Sequence, residues 1–236
     1  MKKTTVTGLL LIVSAVVVNV AFTLLGVVFD YPDILQRPAA EVLARFAADP
    51  FVIGAGFTLL AAGAAMMAPI AIRIAHEFPS GRLGTSAAVV GVAAAIVQVV
   101  GLVRWPLIVP FLATAMGTAS PSEQAAIADR FSTINAVLGQ SIGETLGYLF
   151  TAAWTVLVVI VLHRTGAIGR LLSALGLVSA ALILSGVLVP LDVPGADAAN
   201  FAGYVLWSVW LVLLGITVIR RGSARIPAPV ASAVAA

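Results

Sequence analysis

Six long apolar runs, separated by short polar stretches, dominate the pattern of hydrophobic and polar positions along this chain. A helix needs roughly 20 residues to cross the hydrocarbon core of a bilayer at a rise of ~1.5 Å per residue, and each run approaches or exceeds that length. The first run is longer than the core of a typical signal peptide, so we interpret it as a retained helix. The pattern predicts an all-α, polytopic integral membrane protein whose six transmembrane helices form three hairpins. The predicted helices cover residues 6–29, 51–75, 83–112, 135–162, 171–189 and 200–219.

Two stretches between these runs have an amphipathic pattern that is too short to span a membrane. In the first, residues 38–47, Glu41 and Arg45 have the i,i+4 spacing of an ion pair. Its apolar face consists of Val42, Leu43 and Phe46. The second, residues 120–133, opens with the sequence Ser-Pro-Ser-Glu, which is typical of a helix capping box. We therefore predict two short surface helices, both on the extracytoplasmic side of the bundle.

Prolines within the third run predict a kink or an unwound end, because proline lacks a backbone N–H and disrupts the preceding helical turn. Pro106 and Pro110 lie four residues apart near the end of this run. Such a break is tolerated in a membrane only where protein surrounds it.

The composition supports a membrane protein and excludes several other classes. The chain is 61% hydrophobic and only 10% charged, too few charges to cover a soluble domain of this length. It contains no cysteine, which excludes disulfides, thiolate metal ligands and cysteine nucleophiles. The net charge of +3 comes from basic residues beside the apolar runs. These residues indicate topology and not a nucleic-acid partner.

The distribution of basic residues predicts the orientation in the cell membrane. Nine of them fall on one side of the six-helix arrangement: Lys2, Lys3, Arg73, Arg82, Arg164, Arg170, Arg220, Arg221 and Arg225. The positive-inside rule places both termini in the cytoplasm. Residues 1–220 form a single transmembrane domain on this interpretation. Residues 221–236, basic and then rich in proline and alanine, are predicted to be a disordered cytoplasmic tail.

Arg104 and Glu144 are the strongest candidates for a functional site. A charged group deep in a bilayer is costly and usually finds a partner in protein or water. The two residues lie at similar depth on neighbouring antiparallel helices, which is the arrangement that a salt bridge requires. Gln140 and Tyr148 stand four residues either side of Glu144 and would share its helical face. The pair is either a clamp that fixes helix packing or a site that also meets a ligand, an ion or a proton.

The other polar residues within the runs favour structural roles. Asn19 and Gln98 are isolated amides, for which hydrogen bonding between helices is the better interpretation. His76 and His163 stand at helix ends and lack facing ligands, so we predict no metal site and no cofactor. Ser141 lies near Glu144 without a histidine at the same depth, so no catalytic residue is assigned.

Four motifs resemble a bacterial membrane family known as domain of unknown function 4386. They are Tyr31-Pro32-Asp33-Ile34-Leu35, Glu41-Val42-Leu43-Ala44-Arg45-Phe46, Gly101-Leu102-Val103-Arg104-Trp105-Pro106, and Gly143-Glu144-Thr145-Leu146-Gly147-Tyr148 followed by Trp154. The resemblance extends from the first predicted helix to the sixth. It implies a multi-pass membrane protein and no established activity.

These observations leave three hypotheses for the function. The first is a binding or accessory protein with a polar outer-leaflet site around Arg104 and Glu144. Its partner would be membrane lipid, a small molecule, an ion or a partner membrane helix. The second is a transporter coupled to an ion or proton, motivated by the charged pair and the prolines. The third is a membrane enzyme that acts on lipid, although no nucleophile, base and metal set is recognisable.

Overall fold

A computed structural model describes residues 3–224 of the chain, and the side chains of residues 3–221. All regular structure in this part of the chain is helical. The α-helices, α1 to α10 in chain order, are Lys3–Phe29, Ala39–Ala48, Pro50–Ala65, Met67–Glu77, Arg82–Leu107, Val109–Thr118, Pro121–Ile134, Gly147–Arg164, Arg170–Leu184 and Ala196–Ala224. Two 3₁₀ segments, Asp33–Gln36 and Ser185–Leu191, and one π-helical segment, Asn135–Leu146, complete the structure.

Six stretches of the described chain are long and apolar enough to cross a membrane, which confirms the predicted number. We call them spans 1 to 6: Lys3–Phe29, Pro50–Glu77, Arg82–Thr118, Pro121–Arg164, Arg170–Leu191 and Ala196–Arg221. Helix α10 continues to Ala224, past the predicted end of the transmembrane domain at 220. The remainder of the predicted tail, residues 225–236, lies outside the described residues.

The six spans form a closed ring in sequence order. Each span packs against the next one along the chain, and span 6 packs against span 1. Glycines allow the closure: a Cβ atom on Gly8 would lie 2.5 Å from the carbonyl oxygen of Gly215. Small residues permit such close helix packing in membranes, where van der Waals contact replaces the hydrophobic effect between helices. Each pair of consecutive spans is therefore an antiparallel hairpin.

Two aromatic clusters fill the ring at different depths. In the first, Trp154 contacts Trp207 and Trp210, with ring centroids 6.2 Å apart in both cases. In the second, at the end away from the basic residues, Trp105 is fully buried and stacks on Phe57 at 4.5 Å. Buried aromatic side chains contribute large contact areas, so both clusters are well-packed parts of the interior.

Proline breaks span 3, as predicted. Helix α5 ends at Leu107 and helix α6 begins at Val109, with Ile108 between them. Pro110 has no N–H to donate to the carbonyl of Pro106, so the ladder of hydrogen bonds is interrupted there. Span 2 is also interrupted, at Met66, ahead of Pro69.

The first predicted surface helix is present as α2. Its apolar face is buried as predicted: Val42, Leu43 and Phe46 are each at most 1% exposed. The predicted ion pair of Glu41 with Arg45 is wrong. Glu41 pairs with Arg37 at 2.6 Å, and Arg37 also pairs with Asp30 at 2.9 Å, because Arg37 lies between the two carboxylates.

The second predicted surface helix is α7, and it is not separate from the bundle. The capping box is confirmed, since the Glu123 carboxylate accepts hydrogen bonds from the Ser120 N–H at 2.8 Å and from its hydroxyl at 2.6 Å. However, Asn135 keeps helical angles, so α7 continues through the π-helical segment into span 4. Helix α2 packs on both α6 and α7, and the three helices cover the Trp105 end of the bundle.

Candidate functional site

The Arg104 side chain is buried in the bundle, with 4% of its surface exposed. Its Nη2 donates to the Asn135 side-chain oxygen at 2.9 Å, and its Nη1 donates to the Gly101 carbonyl oxygen. Its Nε has no partner among the described residues and is sealed from solvent. Hydrogen-bond acceptors stabilise a buried guanidinium, and the two acceptors of Arg104 are a neutral backbone carbonyl and a neutral amide.

Glycines on both helices make the space that Arg104 occupies. A Cβ on Gly101 would lie 2.6 Å from the Cα of Gly143, so α5 and the π-helical segment touch through their backbones. A Cβ on Gly139 would lie 2.6 Å from Arg104 Nη2. The guanidinium therefore rests directly on the backbone of span 4, beside Asn135. The close crossing is possible only because these positions lack side chains.

Glu144 does not form the predicted direct ion pair with Arg104. Three salt bridges occur among the described residues, and neither Arg104 nor Glu144 takes part in any of them. The two groups are near enough to interact electrostatically. The glycine crossing brings Arg104 onto Asn135 and Gly139, which precede Glu144 on span 4. The Arg104 Nη atoms therefore donate to Gly101 and Asn135 and not to the Glu144 carboxylate.

All three tyrosines of the chain lie within electrostatic range of Glu144. Tyr31, Tyr148 and Tyr204 each interact electrostatically with this carboxylate, although they come from distant parts of the sequence. The rings of Tyr148 and Tyr204 are in contact, with centroids 5.9 Å apart. Burial raises the pKa of Tyr31, which follows span 1, to about 12, and the Glu144 charge adds to the effect. We call Glu144 and the three tyrosines the tyrosine site.

Several polar atoms of the tyrosine site are unpartnered and still accessible. Glu144, Tyr31 and Tyr148 make no side-chain hydrogen bond within the described residues. Their oxygens are not among the unpaired polar atoms sealed from solvent, which are Glu77 Oε2, Arg104 Nε, Trp105 Nε1 and Trp154 Nε1. The carboxylate can accept hydrogen bonds, and the two phenols can donate or accept them. These oxygens are therefore free to form further hydrogen bonds.

A hydrogen bond between spans 3 and 4 lies beside the site. Gln98 donates to the Thr151 hydroxyl at 3.1 Å, and Thr151 lies close to Tyr204. Gln98 thus makes the interhelical hydrogen bond expected of it. Asn19 makes a comparable bond, to the Ser208 hydroxyl of span 6 at 2.9 Å, but it lies on the exposed surface and outside the tyrosine site.

Gln140 is exposed, and the structure does not bring it to Glu144. It was expected on the same face because it stands four residues earlier in an α-helical register. Gln140 and Glu144 both lie in the π-helical segment, where the hydrogen bonds run from i to i+5 and the turn is wider, so the α-helical register behind that expectation does not apply. Tyr148 begins the next α-helical stretch and does reach the site, as expected.

Tyr31, Tyr204 and Asn135 are not among the site residues that the sequence predicts. Tyr31 stands there only in a family motif, and Asn135 only as the start of the fourth predicted helix. The scarcity of tyrosine was the available signal, since three tyrosines in 236 residues all stand beside or within apolar runs. For Asn135, the available signal was the spacing of four residues that separates it from Gly139 and Gly139 from Gly143, which is typical of one helical face.

The described residues contain no group of three or more His, Asp or Glu side chains that could hold a metal ion. His163 stands at the end of α8, where its Nδ1 lies 3.0 Å from the Ser173 hydroxyl. The tyrosine site has one carboxylate and three phenols. Its polar groups are hydrogen-bond donors and acceptors.

A closed ring of six apolar helices that carries ionisable groups in its interior defines a multi-pass integral membrane protein. The chain belongs to the family of the domain of unknown function DUF4386, which matches residues 6–215. No curated protein and no solved structure matches it.

Proposed function

We propose that this membrane protein is a binding protein whose tyrosine site takes a small ligand. The observation that carries the proposal is the state of Glu144. This carboxylate lies within the bundle, accepts no hydrogen bond from the described residues, and is not sealed from solvent. An ionised group at this position is costly unless something satisfies it, and a ligand would do so.

The orientation that the basic residues favour supports a site in the outer half of the membrane. Arg73, Arg82, Arg164 and Arg170 cluster at the opposite end of the ring, which the positive-inside rule assigns to the cytoplasm. Helix α2 and the start of span 4 cover the outer end. A ligand would therefore enter from the extracytoplasmic side or from the outer leaflet of the cell membrane.

Binding is better supported than transport or catalysis. Transport needs a path from the tyrosine site to the end of the ring that carries the basic residues, and Trp154 packs against Trp207 and Trp210 between them. Catalysis on lipid needs a nucleophile with a base. Ser141, the serine closest to Glu144 in sequence, is exposed and donates to the Ala136 carbonyl oxygen at 2.9 Å.

The absence of native cysteine gives a direct test of access to the site. A single Tyr148→Cys variant, reconstituted in lipid nanodiscs, is treated with a small water-soluble methanethiosulfonate, and the rate of modification is followed by mass spectrometry. Val158→Cys is the matched control, because Val158 lies on the same helix and is fully buried.

We expect Tyr148→Cys to react at least about tenfold faster than Val158→Cys, since thiol modification requires access. Tyr31→Cys provides a second position if the first variant does not fold. Equal, slow reaction at all three positions would show that no ligand reaches the tyrosine site, and the proposed function would then be wrong.

A further inference from the structure

We propose that a pocket at the end of the bundle away from the basic residues binds the headgroup of a zwitterionic aminophospholipid of the phosphatidylethanolamine type. The pocket has a volume of about 580 Å³ and lies between the end of span 1, the segment that follows it and helix α2. Its polar lining consists of Asp30, Arg37, Glu41 and Arg45. We call it the headgroup pocket. None of the residues of the tyrosine site lines it, so the two sites are separate.

Small residues on two helices leave the headgroup pocket open. Gly26 belongs to the last turn of α1, and Ala44 and Ala48 stand one turn apart on α2. On the other face of α2, Phe46 packs against Phe29 of α1 with ring centroids 6.3 Å apart. This contact fixes α2 beside the end of span 1, so the pocket is part of the packed structure.

Arg37 holds the two carboxylates of the pocket in place and leaves one oxygen free on each. Its Nη2 donates to Asp30 Oδ2 at 2.9 Å, and its Nη1 donates to Glu41 Oε1 at 2.6 Å. Asp30 Oδ1 and Glu41 Oε2 make no hydrogen bond to the described residues, and both side chains are half-exposed. Each free oxygen can accept from an N–H donor outside the protein.

Arg45 supplies a cationic group that has no acceptor in the described part of the chain. It follows Glu41 by one turn of α2 and is exposed. It takes part in none of the three salt bridges there and in no side-chain hydrogen bond. The planar guanidinium can bind two phosphate oxygens at once. The pocket therefore presents a donor for a phosphate beside two acceptors for an ammonium group.

The pocket lies at the level of the lipid headgroups. Span 1 has 27 residues and is about 40 Å long, whereas the hydrocarbon core is ~30 Å thick. A span centred in the bilayer therefore extends about 5 Å beyond the core at each end, which places Val27 among the headgroups. Val27 lines the pocket and is 77% exposed. Val16 and Val20 continue the same exposed face toward the bilayer centre, where an acyl chain would lie.

The charges of the pocket favour a zwitterion over an anion. Two guanidinium groups and two carboxylates line it, so their charges sum to zero. The phosphate of phosphatidylethanolamine can accept from Arg45, and its ammonium can donate to Asp30 and Glu41. Phosphatidylglycerol has a phosphate but no cation for the carboxylates. Phosphatidylcholine has a cation but no N–H donor, so phosphatidylethanolamine is the one of the three that meets both requirements.

Native mass spectrometry of the full chain in detergent tests this preference. The protein is titrated with dioleoyl phosphatidylethanolamine, phosphatidylcholine and phosphatidylglycerol, which share their acyl chains and differ in the headgroup. We expect phosphatidylethanolamine to bind about threefold to fivefold more tightly than either other lipid, because contacts between exposed charges contribute modestly. Equal binding of the three lipids would overturn the proposal.

Replacing Arg45 tests the phosphate contact. Arg45→Gln should weaken phosphatidylethanolamine and phosphatidylcholine alike, by about threefold, because both lipids carry the phosphate. Arg130→Gln is the matched control and should leave both unchanged. Arg130 is exposed on α7, at the same end of the bundle, and makes no ion pair within the described residues.

Replacing Glu41 tests the ammonium contact. In Glu41→Gln the preference for phosphatidylethanolamine over phosphatidylcholine should fall below about twofold, since the two headgroups differ at the ammonium and share the phosphate. Asp129→Asn removes an exposed carboxylate of α7 and should retain the preference. Asp30→Asn removes the other carboxylate of the pocket and replaces Glu41→Gln in the test if that variant does not fold.

Glycerophosphoethanolamine, which has the headgroup without acyl chains, distinguishes a lipid from a soluble zwitterion. An excess of about tenfold should leave the bound lipid in place, because the acyl chains supply apolar contact that this compound lacks. Displacement would show that the headgroup alone is the ligand, and the lipid proposal would be wrong. It would also be wrong if neither Arg45→Gln nor Glu41→Gln altered the binding of any of the three lipids, since the bound lipid would then lie elsewhere.

Discussion

Replacing Gly139 with alanine should expel the Arg104 guanidinium from its position between spans 3 and 4. The new Cβ would lie 2.6 Å from Nη2, 2.8 Å from Cζ and 3.0 Å from the Asn135 side-chain oxygen, all shorter than van der Waals contact. The arginine must move, and its 2.9 Å hydrogen bond to Asn135 is then lost or distorted.

The expected cost follows from three contributions. Overpacking a well-filled site typically costs about 1–3 kcal/mol. Loss of the hydrogen bond adds about 1–2 kcal/mol, since bonds within membrane bundles average ~0.6 and reach ~1.7 kcal/mol while a charged donor strengthens them. Alanine is more favourable than glycine within a helix by up to about 1 kcal/mol, which offsets part of this cost. The net destabilisation should be roughly 2–3 kcal/mol.

The assay is unfolding in mixed micelles by titration with sodium dodecyl sulfate, which gives the free energy of unfolding for each variant. Gly54→Ala is the matched control: Gly54 is also helical, and a Cβ there would meet nothing within 4 Å. That variant should be neutral or more stable than the wild type by up to about 1 kcal/mol.

The same substitution in an Arg104→Met protein tests whether the cost arises from the Arg104 side chain. Methionine at position 104 lacks the Cζ and Nη atoms with which the new Cβ collides. Gly139→Ala should therefore cost little in the Arg104→Met protein, which corresponds to a coupling energy of about 2 kcal/mol. An equal cost in both backgrounds would refute the proposed packing of Arg104 on Gly139.

Three further predictions concern the crossing, the orientation and Tyr31. Gly101→Ala should destabilise the protein by about 1–3 kcal/mol or more in the same unfolding assay, because its Cβ meets the Gly143 backbone, which has no rotamer to change; a neutral effect would argue against the backbone contact. Reporter fusions should indicate the cytoplasm at Gly81, Gly166 and Ala236 and the opposite side at Pro38, Ser122 and Ala196; a cytoplasmic signal at Ser122 would contradict the orientation. The pKa of Tyr31 is raised to about 12, so the Tyr31 hydroxyl of the folded protein keeps its proton at pH values above the ordinary pKa of 10. Its contribution to stability is complete below pH 10 and is lost as the pH rises to about 12, so the unfolding midpoint of the wild type should fall toward that of Tyr31→Phe over this interval; parallel curves would contradict it.

Features that depend on neighbouring residues were predictable from the sequence. The six spans follow from apolar runs of sufficient length, and the break in span 3 follows from Pro106 and Pro110. The apolar face of α2 and the capping box at Ser120 follow from spacing within one or two turns. Each is a local consequence of backbone geometry, so the rest of the chain does not alter it.

Tertiary structure decided which polar groups meet. Equal depth on adjacent helices suggested that Arg104 would pair with Glu144, but depth does not specify how each helix is rotated about its axis. The Gly101–Gly143 crossing and the π-helical segment set that rotation, so Arg104 meets Asn135 and Gln140 faces outward. Tyr31, Tyr148 and Tyr204 likewise come within electrostatic range of Glu144 only through the packing of segments that are far apart in sequence. Contacts between residues far apart in sequence require the packed bundle, because hydropathy records depth in the membrane but not the partner across the interface.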